Sequence, residues 1–190
     1  MTRLEFVLTL TIVLGLSHVS QADPITYNPD LTADCTWHVG SISQPNDNES
    51  NPVGAEYFKF MGEAGTPYCV TGQRLDTPFD MAFWIFEGQF ADTSDFAGGS
   101  FSGFDSNDPG YIDFADDEIP HPGPFGDPYT EFTAATTGWY TIAVTNFASN
   151  GVPPYDFRLK VCPNCPEPST FLLVLSAGLG IVAIRRRKAS

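Results

Sequence analysis

Apolar and polar residues alternate with a period of two in several short stretches of the chain. Residues 155–161 place four apolar side chains on one face and Asp156, Arg158 and Lys160 on the other. This alternation is the pattern of a β-strand with one buried face and one face in water. Residues 58–60 repeat this alternation, with Phe58 before Lys59 and Phe60 after it.

Residues 139–145 form a third alternating stretch. We expect Tyr140, Ile142 and Val144 to face the core, and Trp139, Thr141 and Thr145 to face water. The run MAFWIF at 81–86 is instead apolar on both faces. It predicts a central strand that is covered on both sides.

Gly, Pro, Asn and Asp recur every eight to twelve residues between 53 and 161, and no stretch shows a 3.6-residue period. Short strands at this spacing are typical of an all-β sandwich. We therefore predict a β-sandwich domain at 53–162. Residues 23–52 are predicted to be an N-terminal extension that contains the first strand.

Residues 1–22 have the organisation of a secretory signal peptide. Arg3 precedes a largely apolar stretch of eleven residues at 6–16, which as a helix would span roughly 16 Å, about half of a bilayer core. Ser20 and Ala22 are small residues at the two positions that a signal peptidase reads. We expect export, and cleavage before Asp23.

The last segment, 163–190, has a different character. Residues 171–184 are apolar or small and would form roughly 21 Å of helix, and four basic residues follow at 185–188. A basic cluster after an apolar span is expected to stay on the cytoplasmic side. The pattern predicts a short C-terminal transmembrane helix with a basic stop.

This ending resembles a known sorting signal. Its parts, in order, are Pro166, Glu167 and Pro168, then the apolar span, then Arg185, Arg186 and Arg187. The order is similar to the PEP-CTERM signal of Gram-negative bacteria. The resemblance implies transient anchoring in the inner membrane, cleavage by an exosortase, and delivery to the cell surface or exopolysaccharide matrix. Such tails occur on unrelated bodies, so the tail predicts location rather than activity.

The body resembles a second family. Its series begins at Gln44-Pro45-Asn46-Asp47, continues through the strands described above, and ends near residue 161. The series is similar to bacterial pre-peptidase C-terminal domains, which are small jelly-roll β-sandwiches of secreted proteins. The resemblance implies a jelly-roll-like fold. Gln44, and Gly54-Ala55-Glu56, depart from the family pattern at positions where acidic residues are usual.

The body is strongly acidic. Residues 23–166 contain 21 acidic and 4 basic residues, a net charge of −17. Such a surface repels phosphate backbones, so we expect no nucleic-acid partner. It attracts cations, and oxygen ligands in one segment suggest an irregular calcium loop, although a solvated acidic loop is the simpler alternative. The candidate ligands are Asp105, Asn107, Asp113, Asp116 and Asp117.

Four cysteines, Cys35, Cys69, Cys162 and Cys165, belong to an exported chain, where disulfides persist. Structural disulfides are the favoured interpretation, and the spacing leaves all three pairings open. The CPNC segment also has the spacing of half a zinc or redox site.

The sequence offers little for catalysis. His38 and His121 are the two histidines outside the signal peptide, and no Gly-x-Ser-x-Gly motif is present. We therefore expect a non-catalytic surface or matrix protein with a structural or binding role, calcium being its one suggested cofactor. The alternative is a module that binds exopolysaccharide through Trp84 or Trp139, and a secreted hydrolase is the third interpretation. The expected processing partners are signal peptidase and exosortase.

Overall fold

The computed structural model describes residues 23–43, 51–96, 103–149 and 153–165. Eight β-strands lie in these ranges, with a single turn of 3₁₀-helix at Thr93–Asp95. The strands are β1 (His38–Ile42), β2 (Glu56–Gly62), β3 (Pro67–Arg74), β4 (Phe79–Glu87), β5 (Tyr111–Ala115), β6 (Tyr129–Thr133), β7 (Gly138–Ser149) and β8 (Tyr155–Pro163).

The strands form two antiparallel sheets of four. The first sheet has the order β1-β8-β3-β6 and the second has the order β2-β7-β4-β5. The chain passes to the other sheet at every connection between successive strands except β4–β5. This arrangement is a two-sheet jelly-roll type of sandwich, and it confirms the predicted all-β architecture.

The inner faces of the two sheets enclose an aromatic core. Strand β8 contributes its alternate apolar residues from Tyr155 to Val161, and β7 contributes Tyr140, Ile142 and Val144. Phe79 stacks on Tyr155 with ring centroids 5.2 Å apart. The period-two stretches therefore face the core as predicted, because each places one apolar row on the inner face.

The outer face of the second sheet is buried as well. Residues 25–27 and the described parts of the β4–β5 connection lie over it, and a second aromatic cluster forms around Phe86, Phe96 and Phe104. Strand β4 is therefore covered on both faces, as its apolar run predicts. Thr141 and Thr145 were expected in water but are fully buried, because this covering layer lies over their face of β7.

The cysteines form two disulfides. Cys35 pairs with Cys162, and Cys69 pairs with Cys165. Cys162 lies in β8 and Cys165 lies just after it. The first bond joins β8 to the segment before edge strand β1, and the second joins the residues that follow β8 to interior strand β3. The pairing resolves the three alternatives that spacing left open.

The described residues include no helix long and apolar enough to cross a bilayer. The predicted signal peptide at 1–22 and the predicted membrane helix at 171–184 both lie outside them.

Candidate functional site

The acidic segment that suggested calcium is spread along strand β5. Before the strand, the Asp105 carboxylate accepts hydrogen bonds from the backbone and side chain of Asn107, at 2.9 and 2.6 Å. These bonds stabilise the charged carboxylate and lower the pKa of Asp105. Both residues serve a local turn that leads into β5.

The other three candidate ligands lie within and beyond the strand. Asp113, in β5, accepts a hydrogen bond from the Thr130 hydroxyl of β6. Asp116 and Asp117 follow the strand, and the Asp117 carboxylate accepts from the backbone of Gly126. Five extended residues span about 17 Å, so β5 separates the two ends of this set. In the described ranges no three His, Cys, Asp or Glu side chains form a group that could hold a metal ion.

A buried charged cluster holds the β5–β6 connection in place. The Arg74 guanidinium, only 2% exposed, donates to the carbonyl oxygens of Pro122 and Phe125 at 3.2 and 2.5 Å. It also lies 3.3 Å from Nδ1 of His121. The Asp127 carboxylate accepts from the backbone N–H of Arg74 at 3.2 Å. The cluster thus fastens a proline-rich loop to strand β3.

Two carboxylic acids of this cluster have raised pKa values. Burial raises the pKa of Asp80 to about 6, with further contributions from the negative charges of Asp117 and Asp116. Burial also raises the pKa of Asp127. Raised acids can mark a catalytic site. Here, however, Asp80 and Asp127 are 3% and 4% exposed, so a substrate would not reach them, and the geometry fits a structural role.

A small cleft lies between residues 23–26 and 52–57, bordered by Thr93. Its volume is about 210 Å³, below the roughly 300–1,000 Å³ of typical small-molecule sites. Within it, burial raises the pKa of Glu56, and Asn28 donates a hydrogen bond that opposes this rise. This pair connects the N-terminal extension to β2.

The two tryptophans proposed for sugar stacking differ in exposure, because Trp84 is buried and Trp139 is partly exposed. Trp84 is 9% exposed and packs against Phe114, Tyr111 and Phe104, with the Phe114 ring centroid at 4.6 Å. Trp139 is partly exposed, but the Lys59 ammonium lies 4.5 Å from its ring centroid. Trp84 therefore belongs to the outer aromatic cluster rather than to a surface platform.

The open face of the first sheet carries a tryptophan that sequence reasoning missed. Trp37 precedes β1 and is partly exposed, and Val39, next in its row, is 72% exposed. The Arg158 guanidinium and the Lys160 ammonium each lie within 4.6 Å of the Trp37 ring centroid. These distances are in the range of cation–π contacts. We refer to Trp37, Arg158 and Lys160 as the cationic patch.

Strand pairing creates this patch. In the register of the sheet, Val39 of β1 and Gln73 of β3 both pair with Arg158 of β8, and Thr71 pairs with Lys160. The Arg158 Nε donates to Gln73 Oε1 at 2.7 Å. The sequence signal was present, since Arg158 and Lys160 were predicted to face water, but nothing local pairs β8 with a tryptophan 121 positions earlier.

The residues predicted for sorting, Pro166, Glu167, Pro168, Arg185, Arg186 and Arg187, lie outside the described residues. Fold and surface together define a disulfide-linked β-sandwich, and the sequence continues after it into a C-terminal segment. That segment matches the PEP-CTERM protein-sorting motif at residues 164–188. The chain therefore carries the sorting signal that its ending resembles.

Comparison with solved structures supports the fold. CorA, a surface-associated copper-binding protein of Methylomicrobium album BG8, is similar over 74% of this chain and 99% of its own, with 9% identity and a TM-score of 0.53. At this identity the similarity concerns the fold alone.

Two further structures are more distant. The pre-peptidase C-terminal domain of a Bacillus anthracis collagenase covers 73% of this chain and 99% of its own, with 11% identity and a TM-score of 0.42. The secreted protein MopE of Methylococcus capsulatus, in which an oxidized tryptophan facilitates copper binding, covers 74% and 91%, with 13% identity and a TM-score of 0.44. A search of curated proteins found no match.

Proposed function

We propose that this chain is an exported, non-catalytic protein of the bacterial cell surface or extracellular matrix, where its sandwich serves as a structural or binding module. The PEP-CTERM motif at 164–188 carries the proposal, since it implies export, surface sorting and processing by an exosortase. Until the exosortase acts, residues 171–184 would hold the chain in the inner membrane.

The chemistry of the body supports a role without catalysis. Two of its acids with raised pKa values, Asp80 and Asp127, are buried beneath the β5–β6 loop, where Arg74 contacts His121 and the carbonyl oxygen of Pro122. Two disulfides, at Cys162 in β8 and at Cys165 within the start of the motif match, fasten this end of the body to the segment before β1 and to β3. A body that is cross-linked by disulfides next to its sorting signal is suited to display outside the cell.

The sugar-binding alternative does not gain from the residues first suggested for it. Trp84 is buried and Trp139 lies beneath Lys59. The open face of the first sheet offers a different surface, formed by Trp37, Arg158 and Lys160.

Cell fractionation combined with intact-mass measurement tests the proposal. We expect the protein in the surface or matrix fraction, beginning at Asp23 and ending near Pro166. Reduction should increase the mass by four hydrogen atoms, one pair for each disulfide. Recovery from the cytosol with residues 1–22 attached would overturn the proposal.

A further inference from the structure

Of the four basic residues of the body, one is buried, one forms an ion pair, and two lie on one open face. Arg74 is buried, and Lys59 pairs with Asp30, its Nζ lying 3.5 Å from the carboxylate. Arg158 and Lys160 lie on the open face of the first sheet, and in the described part of the chain neither has a carboxylate within ion-pair distance. The two unpaired cations of a body with a net charge of −17 thus converge on one indole.

The patch is held in position before any ligand arrives. The Trp37 ring contacts both cations, and Gln73 fixes the Nε side of the Arg158 guanidinium. A guanidinium bound through Nε still offers its Nη groups, which match the geometry of a carboxylate. Because the side chains are already ordered, an anion would lose less affinity to side-chain ordering.

The surroundings of the patch suit an extended chain with hydroxyl groups. On this face the strands lie side by side, with Thr71 and Gln73 beside the cations and Val39 exposed at the edge. Hydroxyl and amide groups next to cations can hydrogen-bond sugar hydroxyls while the cations bind acidic groups.

We propose that the cationic patch binds a carboxylated polysaccharide, of the uronic-acid type, that lies across strands β1, β8 and β3. Charge complementarity carries this inference, which rests on the proposed function because the protein must reach the matrix to meet such a polymer. Arg158 and Lys160 contact the carboxylates, and Trp37 is a positioning residue for both cations.

The acidic surface of a second copy fits this face less well than a polysaccharide does. A second copy would bring its whole net charge of −17 towards a body of the same charge. A polysaccharide chain is narrow and can instead contact Arg158 and Lys160 alone. Glu131 lies on β6, two strands from β8 and so about 10 Å away, which is roughly one Debye length at physiological salt. Asp156 lies two residues before Arg158 in β8, and its negative charge limits the binding site at that end of the patch.

Isothermal titration calorimetry of the surface-extracted protein tests the inference, with polygalacturonate as the probe and neutral dextran and dextran sulfate as comparisons. We expect polygalacturonate to bind, with affinity that falls as NaCl increases. Lys160→Gln should weaken binding about fivefold or more, and Arg158→Gln with Lys160→Gln should abolish it. Lys59→Gln removes the same charge from the other sheet and should change the affinity less than twofold.

Four results would overturn the inference. Two are the absence of polygalacturonate binding and equal binding of neutral dextran. The others are binding of dextran sulfate without polygalacturonate, and an equal loss of affinity in Lys59→Gln and Lys160→Gln. Self-association that disappears in the double variant, without polymer binding, would assign the face to a second copy. Unchanged thermal midpoints would show that the variants fold.

Size-exclusion analysis of the polymer separates the two proposals. Shortening of the polymer would contradict a non-catalytic body, whereas an intact but unbound polymer contradicts only this inference.

Discussion

At the scale of single residues, Asp80 shows how an acidic sequence affects its own core. Its carboxyl group is buried beside Asp116 and Asp117, and its pKa is raised from 3.8 to about 6. A folded-state pKa above the unfolded value means that the folded state favours the protonated acid. The resulting stability is complete below about pH 4 and is lost as the pH rises through about 6.

Replacing Asp80 with Asn removes this titration. We expect Asp80→Asn to raise the free energy of unfolding at pH 7.5 by about 1–3 kcal/mol, because the neutral amide avoids burying a charge. The slope of stability between pH 4 and 6 should become flatter. Urea unfolding at several pH values measures both effects.

Asp105 is the matched control, because hydrogen bonds from Asn107 lower its pKa. Its stabilising contribution is present above the unfolded pKa and is lost as the pH falls. Asp105→Asn should therefore give no gain at pH 7.5. A loss of stability in Asp80→Asn would instead show that the charged carboxylate is needed beside Arg74.

At the scale of elements, the disulfides allow a comparison within one chain. The bonds Cys35–Cys162 and Cys69–Cys165 close separations of 127 and 96 residues. In the chain-entropy model these lengths differ by only about 0.2 kcal/mol. Replacing either pair with serine should therefore lower the free energy of unfolding by a similar amount, about 2–4 kcal/mol.

Urea unfolding of the two double variants under non-reducing conditions measures the difference. A much larger loss for the Cys35 pair would show that the folded state matters more than loop closure. That bond joins β8 to the segment before edge strand β1, which pairs with β8 alone, whereas Cys69 lies in interior strand β3. A loss below about 1 kcal/mol for both pairs would contradict the expectation.

Local patterns predicted the strands well but could not predict what covers them. The alternation at 155–161 and the apolar run at 81–86 were sufficient to place β8 and β4. The apolar run indicated that β4 is covered on both faces, but no local pattern identifies the segments that bury Trp84 and Thr141 from the outer side. Trp37 and the disulfide pairing depend on contacts between residues more than 90 positions apart, which spacing alone does not specify.

At the scale of the whole molecule, the net charge of −17 on residues 23–166 should weaken the folded state by self-repulsion. Raising NaCl from about 0.01 to 0.15 M shortens the Debye length from about 30 to 8 Å. We expect the thermal midpoint to rise by a few degrees, since 1 kcal/mol corresponds to about 2–4 °C at this size. Differential scanning calorimetry measures the shift.

Comparing the thermal midpoint in calcium with that in magnesium, at matched ionic strength, distinguishes a specific calcium site from this general salt effect. The five oxygen ligands suggested by the sequence lie before, within and beyond β5, and Asp113 already accepts a hydrogen bond from Thr130. Both ions should therefore raise the midpoint equally, by screening and by diffuse attraction to the acidic surface. A gain specific to millimolar calcium would instead require a bound ion. If that gain disappeared in Asp116→Asn but not in Asp105→Asn, it would locate the site beyond β5, beside the buried Asp80.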